Sequence, residues 1–257
     1  MKILKPVLGA IALISVSACA TSLQTTSGTD YLARYDVSHE IANGAPTDVD
    51  EDVRRIAAIE PNLIFPARIG VARIHNGTLT ALPADEARIW QDLASDMGDT
   101  FGDFVPVSPL ITSMVAEPAA PGMDRAAAII ANIRRGAARQ HLDYVVTYEV
   151  GSSQHQKANT FALADLTIIG MFVLPSRTVE VEATASGLML DVRTGYPYAT
   201  LTTHADKSGV SRAVSEGSTS LAYADTAEER AVAKLAQEFG DSLGALAVRA
   251  LALAQAG

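Results

Sequence analysis

Residues 68–74 read RIGVARI, a run of β-forming residues separated by small ones. A run with so little polar alternation is typical of a strand that is buried on both faces. Asn76 and Gly77 follow it, and this dipeptide is the strongest short-range signal for a hairpin turn. The sequence therefore predicts a buried strand over residues 68–74 and a short returning strand over residues 78–82.

Two amphipathic segments and two further strands come next. Pro83 suits the first turn of a helix, and apolar residues then recur at helical spacing until Gly98. Asp124 is the predicted N-cap of a second helix. Residues 104–107 and 144–150 have the pattern of strands. This alternation of strands and helices predicts parallel strands joined by helical crossovers.

The second half of the chain changes character. Residues 177–193 alternate polar and apolar side chains, and the alternation changes phase at Gly187, which predicts a β-bulge at Ser186-Gly187. Residues 196–205 are predicted to return as a strand, and residues 227–256 to form a long helix that packs on the sheet. The predicted fold class is α/β: a βαβαβ half, an antiparallel meander and a long C-terminal helix, with helices packed on a mixed sheet.

The amino terminus has the pattern of an export signal. Lys2 and Lys5 supply positive charge, and residues 7–18 carry no charge at all. This uncharged run is too short to cross a bilayer as a helix and matches the core of a signal peptide.

The tetrapeptide VSAC at residues 16–19 resembles the lipobox of bacterial lipoproteins. The resemblance implies that the Cys19 thiol receives a diacylglyceryl group and that cleavage leaves Cys19 as the new amino terminus. An ordinary secretory signal with a cysteine near its cleavage site is the alternative. In the inner-membrane retention signal of enteric bacteria an Asp follows the lipidated cysteine, whereas this chain has Ala20 at that position. The resemblance therefore implies the outer membrane, with the protein facing the periplasm.

The sequence divides the chain into three predicted parts: a lipoprotein signal peptide (1–18), a tether with an acidic lead-in (19–62) and a single periplasmic α/β domain (63–257). Residues 21–29 are small and polar, which is typical of a flexible tether. Residues 48–59 are predicted to form a short helix within the lead-in.

Composition limits the class of protein. Hydrophobic residues make up 48% of the 257 residues and charged residues 19%, which excludes a chain disordered throughout. The net charge of −9 argues against a nucleic-acid partner. A single cysteine excludes a disulfide framework and a multi-cysteine metal site. Since no phosphate-binding or dinucleotide motif occurs either, the sequence predicts no cofactor, no metal and no catalytic residue.

Two groups of polar residues are candidates for a reactive site. His141 stands where a helix is predicted to end, and a histidine there is usually a dipole partner or a surface residue. Glu180 and Glu182 fall on one face of a predicted strand, with a spacing that could serve paired carboxylates. A solvated sheet face is the simpler interpretation.

The order of these elements, with LTIIG at residues 166–170, VLP at 173–175 and DVR at 191–193, resembles the rhombotarget-type lipoproteins. Those are similar in turn to the curli-secretion lipoprotein and to penicillin-binding-protein activators. The resemblance covers residues 65–205. It implies a fold and an envelope location, and it supplies no catalytic residues.

Three functions remain open at this point. The first is a non-enzymatic lipid-anchored binding or assembly module, held to the membrane by its lipid, whose partner is another envelope protein or a second copy of itself. The second is an oligomeric secretion or channel component in which residues 161–174 form a membrane-inserting hairpin and not a core strand. The third is a hydrolase with a dispersed site, which would require His141 in a deep pocket with a carboxylate and a hydroxyl.

Overall fold

A computed structural model describes residues 20–39, 48–158, 175–212 and 216–256. These residues form an α/β fold in which a seven-stranded mixed sheet is accompanied by six helices. In chain order the elements are β1 (Ala20–Leu23), α1 (Gly28–His39), α2 (Asp48–Ala57), β2 (Ala67–His75), β3 (Thr78–Thr80), α3 (Ala84–Met97), β4 (Gly102–Pro106), α4 (Pro109–Val115), α5 (Arg125–Arg139), β5 (Tyr144–Ala158), β6 (Pro175–Asp191), β7 (Pro197–Arg212) and α6 (Glu216–Ala256).

The strands lie in the order β1-β7-β6-β5-β2-β3, and β4 also pairs with β2. β2 is parallel to β4 and β5, whereas the β1–β7, β7–β6, β6–β5 and β2–β3 pairs are antiparallel. The predicted βαβαβ half, the antiparallel meander and the mixed sheet are confirmed.

β2 lies at the centre of the parallel part and is buried on both faces, as predicted. Ile69 and Ala72 are 0% exposed, and they belong to hydrophobic clusters on opposite faces of the sheet. The turn to β3 is made by Asn76 and Gly77, with φ of 49° and 69°. Asparagine and glycine tolerate this left-handed region, which explains why this dipeptide makes the turn.

Helices cover both faces of the sheet. α3 and α6 pack on one face, called the first face, where Trp90 and Phe239 place their ring centroids 5.8 Å apart. α5 packs on the opposite, second face, where Ile133 and Val145 belong to one hydrophobic cluster. The buried α6 stripe confirms the predicted packing of this helix on the sheet, although α6 begins at Glu216 and not at residue 227. That stripe consists of Val232, Leu235, Phe239, Leu243 and Leu246, all 0% exposed.

The predicted bulge at Ser186-Gly187 is wrong. The register of β6 with β5 and with β7 continues through both residues, and the irregularity lies between Met189 and Leu190 on the β7 side. Leu188 and Leu190 pack on the second face beneath α5. Both faces of β6 are therefore apolar at this end, so the change in sequence pattern reflects a second helix layer and not a slipped strand.

The prediction of a flexible tether over residues 21–29 is also wrong. Ala20–Leu23 forms β1, and α1 begins at Gly28. The carboxylate of Glu60 accepts hydrogen bonds from the backbone N–H groups of Gly28 and Thr29, which lowers the pKa of Glu60. Small polar residues give no sequence signal for an edge strand, because the hydrogen-bonding partner of β1 comes from far along the chain.

Tyrosine hydroxyl groups join the lead-in to the main sheet. Tyr196 donates to the carbonyl of Thr26, and Tyr198 accepts from the backbone N–H of Asn62. Tyr144 donates to the carbonyl of Asn62. The short helix predicted within the lead-in is confirmed as α2. The lead-in is therefore fastened to the folded body at several points.

α4 was not predicted, although its signal is present in the sequence. Ser108 caps the helix by accepting from the backbone N–H of Ile111, and Pro109 occupies its first turn. Residues 1–19, including the predicted signal peptide and Cys19, lie outside the described residues. The apolar run at residues 161–174 lies outside them too.

Candidate anchoring and binding site

β1 lies immediately after the predicted lipidation site. Its first residue, Ala20, pairs with Thr202, and Leu23 pairs with Ala199. Because β1 is antiparallel to β7, the amino end of β1 lies toward the end of the sheet at which β7 reaches Arg212. The amino terminus of the described fold is therefore directed toward this end, called the upper end.

The outer edge of β7 continues upward beyond β1 and is covered there by side chains of α6. Lys234 Nζ donates to the carbonyl of His204 at 2.7 Å, and Arg230 Nη1 donates to the carbonyl of Asp206 at 3.2 Å. Edge carbonyls that already accept hydrogen bonds offer little to an incoming strand. This part of the β7 edge is therefore protected.

The central strands extend beyond the rest of the sheet at the upper end. β2 accompanies β5 only as far as the pair Ile74 and Glu149. β6 accompanies β5 up to the pair Arg177 and Ala158, and β7 accompanies β6 over the same length. The three-stranded extension comprises residues 150–158, 175–185 and 203–212.

The two faces of this extension differ sharply. On the first face Val181, Ala183 and Ala205 are buried against α6. The second face exposes polar side chains, and Glu180 and Glu182 are among them, so the interpretation as a solvated sheet face is confirmed. The exposed acidic residues described on this face are Glu149, Glu180, Glu182 and Asp206.

A buried polar cluster lies between β2, β5 and the first turn of α3. Arg73 Nε is 2.9 Å from the carboxylate of Glu86, and Tyr148 donates its hydroxyl proton to the same carboxylate. Burial, followed by the nearby negative charge of Glu86, raises the pKa of Tyr148. Arg73, Glu86 and Tyr148 are 9%, 6% and 1% exposed. The cluster is therefore enclosed and holds α3 to the sheet.

His141 does not join a reactive group in the structure. It is exposed at the carboxyl end of α5, with φ of 57°. Arg68 Nη1 donates to the carbonyls of Gln140 and His141 at 2.9 and 3.4 Å. His141 therefore belongs to a helix terminus closed by an arginine, in agreement with the simpler interpretation, and it lines none of the three cavities considered below.

An apolar cavity of about 330 Å³ opens between α1, α2 and the turn from β6 to β7. Two of the side chains that line it are exposed to solvent, Tyr31 to 45% and Ile56 to 61%. Its lining residues are Gln24, Tyr31, Val53, Ile56, Ala57, Ile59, Gly195, Tyr196 and Pro197. Sequence reasoning missed this cavity, although Val53, Ile56 and Ile59 recur at a spacing of three.

Two adjoining cavities, of about 380 and 410 Å³, share Asp99, Gly102 and Asp103 at the lower end of the sheet. Across the described ranges, no group of three or more His, Cys, Asp or Glu side chains could hold a metal ion. No helix in those ranges has both the length and the hydropathy needed to cross a membrane.

No protein-family model and no curated protein matches this chain. Solved structures that resemble it include a minor lipoprotein from Acinetobacter baumannii, at 10% identity and a TM-score of 0.31, covering 71% of this chain and 95% of that one. Lipoprotein GNA1162 from Neisseria meningitidis is 16% identical, with a TM-score of 0.27, and the match covers 61% and 95% of the two chains.

A PelC dodecamer from Paraburkholderia phytofirmans is 14% identical, with a TM-score of 0.27, and the match covers 65% of this chain and 88% of that one. Likeness at these TM-scores assigns neither a fold nor a function to this chain. Both are therefore argued from its own residues.

Proposed function

We propose that this chain is a non-enzymatic lipoprotein, anchored through Cys19 in the outer membrane and facing the periplasm, that binds another envelope protein. The tetrapeptide VSAC at residues 16–19 carries the proposal, because it places the only cysteine of the chain where the lipobox requires it. The strand β1 then holds Ala20–Leu23, which follow this cysteine, in the sheet. The finer resemblance to rhombotarget-type lipoproteins stays a prediction.

Two observations support binding over catalysis. The carboxylate of Glu86 is enclosed by Arg73 and Tyr148, so a substrate could not reach it without unfolding the first turn of α3. His141, which the hydrolase alternative required in a deep pocket, is exposed at a helix end.

The anchor is tested by replacing Cys19 with Ser and following membrane fractionation and incorporation of a labelled palmitate analogue. Acyl chains contribute about 0.8 kcal/mol per buried CH₂, so their loss abolishes stable membrane retention. We expect the Cys19→Ser protein to be unlabelled and to leave the membrane fraction. Ala20→Ser is the matched control and keeps both properties. A Cys19→Ser protein that is still labelled, or that stays in the membrane, contradicts the anchor.

An oligomeric secretion component is the second candidate. Its support is topological, because β5 ends and β6 begins at the upper end, and the amino end of β1 lies toward the same end. The apolar residues 161–174 connect these strands, so they and the lipid would face the same membrane. Val181, Ala183 and Ala185 of β6, which follow that segment, are buried in the core and do not face lipid. A detergent-extracted ring of subunits would support this candidate, and a monomer at all concentrations would exclude it.

A further inference from the structure

The hydrogen-bonding pattern of the sheet fixes which backbone groups of β5 face outward. Gln24 N–H donates to the carbonyl of Tyr198 in the β1–β7 register, so even-numbered residues of β7 point away from β6. Odd-numbered residues of β7 therefore bond to β6, as in the pair Thr203 and Ala185. The even-numbered residues of β6 then bond to β5, as in the pair Glu182 and Ser153.

It follows that the even-numbered residues of β5 direct their N–H and C=O groups away from β6. As far as Tyr148 these groups face β2. Beyond the pair Ile74 and Glu149, no strand among the described residues accompanies β5 on this side. The outward groups belong to Val150 and Ser152 and to residues 154, 156 and 158. They form the β5 edge.

The β5 edge has few of the features that protect an edge against strand addition. Its sequence GSSQHQKA at residues 151–158 contains no proline and one charged residue, Lys157 near its upper end, and its register with β6 runs without a bulge from Tyr144 to Ala158. The β7 edge, by contrast, is covered by Lys234 and Arg230. Among the described residues, therefore, one edge of the extension is covered by side chains and the other is not accompanied by a further strand.

The charge beside the β5 edge selects the partner. Gly151 and Ser153 are small and lie on the second face, so they leave Glu182, one strand further in, within reach of a long side chain from an added strand. Glu149 is exposed at the lower end of the edge, and Glu180 is exposed further up the same face. Lys157 pairs with Thr178 near the upper end of β5, so the acidic part of this face lies lower, around Glu149 and Glu182. An added strand with basic residues at alternate positions would match this face.

We propose that the β5 edge binds an extended basic segment of a partner protein, which adds a strand to the sheet. Backbone hydrogen bonds to the outward groups supply the affinity, and the glutamates of the second face select alternate lysine or arginine residues. The inference rests on the proposed role as a binding module, and it names the surface and the chemistry of the partner.

The test uses the full-length protein in detergent and synthetic eight-residue peptides. One peptide alternates lysine with threonine, and the other alternates glutamate with threonine. We expect fluorescence anisotropy to show binding of the lysine peptide, weakened by added salt because exposed charges are screened, and no binding of the glutamate peptide. Equal binding of both peptides, or binding of neither at millimolar concentration, overturns the proposal.

Two variants at one position separate the edge from other surfaces. Ser152→Pro removes one outward N–H and leaves the β5–β6 hydrogen bonds in place. Proline is tolerated at such an edge position because the missing N–H would have faced outward. Ser152→Ala keeps that N–H and, like proline, loses the hydrogen bond from Ser152 Oγ to Glu228. We expect Ser152→Pro to weaken peptide binding about tenfold or more, since loss of one hydrogen bond and of strand fit is worth about that factor, and Ser152→Ala to bind normally. Equal affinity for the two variants contradicts the β5 edge.

A third variant changes a side chain and leaves every backbone hydrogen bond in place. Glu182→Gln keeps the side-chain shape at an exposed position. We expect it to weaken binding of the lysine peptide and to leave the thermal unfolding temperature of the protein unchanged. If this variant binds normally, the assigned charge selection is wrong.

A second copy of the chain is the competing occupant. If dimers form as the protein concentration rises and are lost in Ser152→Pro, the occupant of the β5 edge is a second copy of the chain. That result would overturn the proposal of a basic partner. Palmitate labelling of Cys19 in the same preparations distinguishes failure of the β5 edge proposal from failure of the lipid anchor. Failure of peptide binding with intact labelling refutes the β5 edge alone, whereas loss of labelling refutes the anchor.

Discussion

The Arg73–Glu86–Tyr148 cluster shows most clearly how single residues fix this fold. A charged pair inside a hydrophobic layer is tolerated only when both partners are satisfied. Glu86 lies in the first turn of α3, Arg73 on β2 and Tyr148 on β5, directly opposite Arg73 in the register. Three elements therefore share one carboxylate, which determines where the amino end of α3 meets the sheet.

Replacing Glu86 with Ala should destabilise the protein by about 3–5 kcal/mol, because Arg73 would keep a buried charge with no carboxylate beside it. Urea unfolding at neutral pH measures this change. Asp85→Ala is the matched control, since it breaks a pair with Arg88 whose side chains are both 64% exposed, and such pairs are worth about 0–1 kcal/mol. Similar losses for the two variants would show that the cluster does not hold α3 to the sheet.

At the level of elements, β1 changes the interpretation of the amino terminus most. A polar stretch that resembles a tether is an edge strand paired with β7. From the Gln24–Tyr198 bond and the register, the N–H of Ser22 faces β7 and that of Thr21 faces away. The chain after Cys19 is therefore held against the body from its first residues.

Ser22→Pro should detach β1, because proline cannot donate the hydrogen bond to Thr200 and is excluded from paired positions. We expect limited proteolysis within residues 20–27 to become about tenfold faster, since local opening controls cleavage of a folded segment. Thr21→Pro, whose lost N–H faces away from β7, is the control and should be cleaved at the rate of the unmodified protein. Equal rates for both variants would mean that β1 contributes no protection.

Local patterns predicted the strands and helices of the central half, because strand alternation, helical spacing and caps such as Asp124 are encoded within a few residues. Features that depend on distant partners were missed. β1 forms a strand only by pairing with the edge of β7. The apolar pattern around Gly187 is explained by packing against α5. The β5 edge exists because β2 ends at His75. The prediction of Cys19 as the lipidation site rests on its sequence context alone, and the proposed binding surface could not be found without the strand order.

At the level of the whole molecule, the position of β1 revises the expected relation to the membrane. An acidic chain on a flexible tether would stand off the bilayer. With β1 in the sheet, a lipid on Cys19 would instead be attached directly to the folded body, near the extension. We expect the upper end to face the membrane and the apolar cavity between α1 and α2, at the lower end of β1, to face away from it.

Mass spectrometry of the amino-terminal peptide, released by protease from protein purified out of the membrane fraction, tests the lipid anchor most directly. The predicted result is a peptide that begins at Cys19 and carries the added mass of a diacylglyceryl group. A peptide that begins at another residue, or that contains an unmodified Cys19, would contradict the anchor and the proposed orientation at the membrane with it.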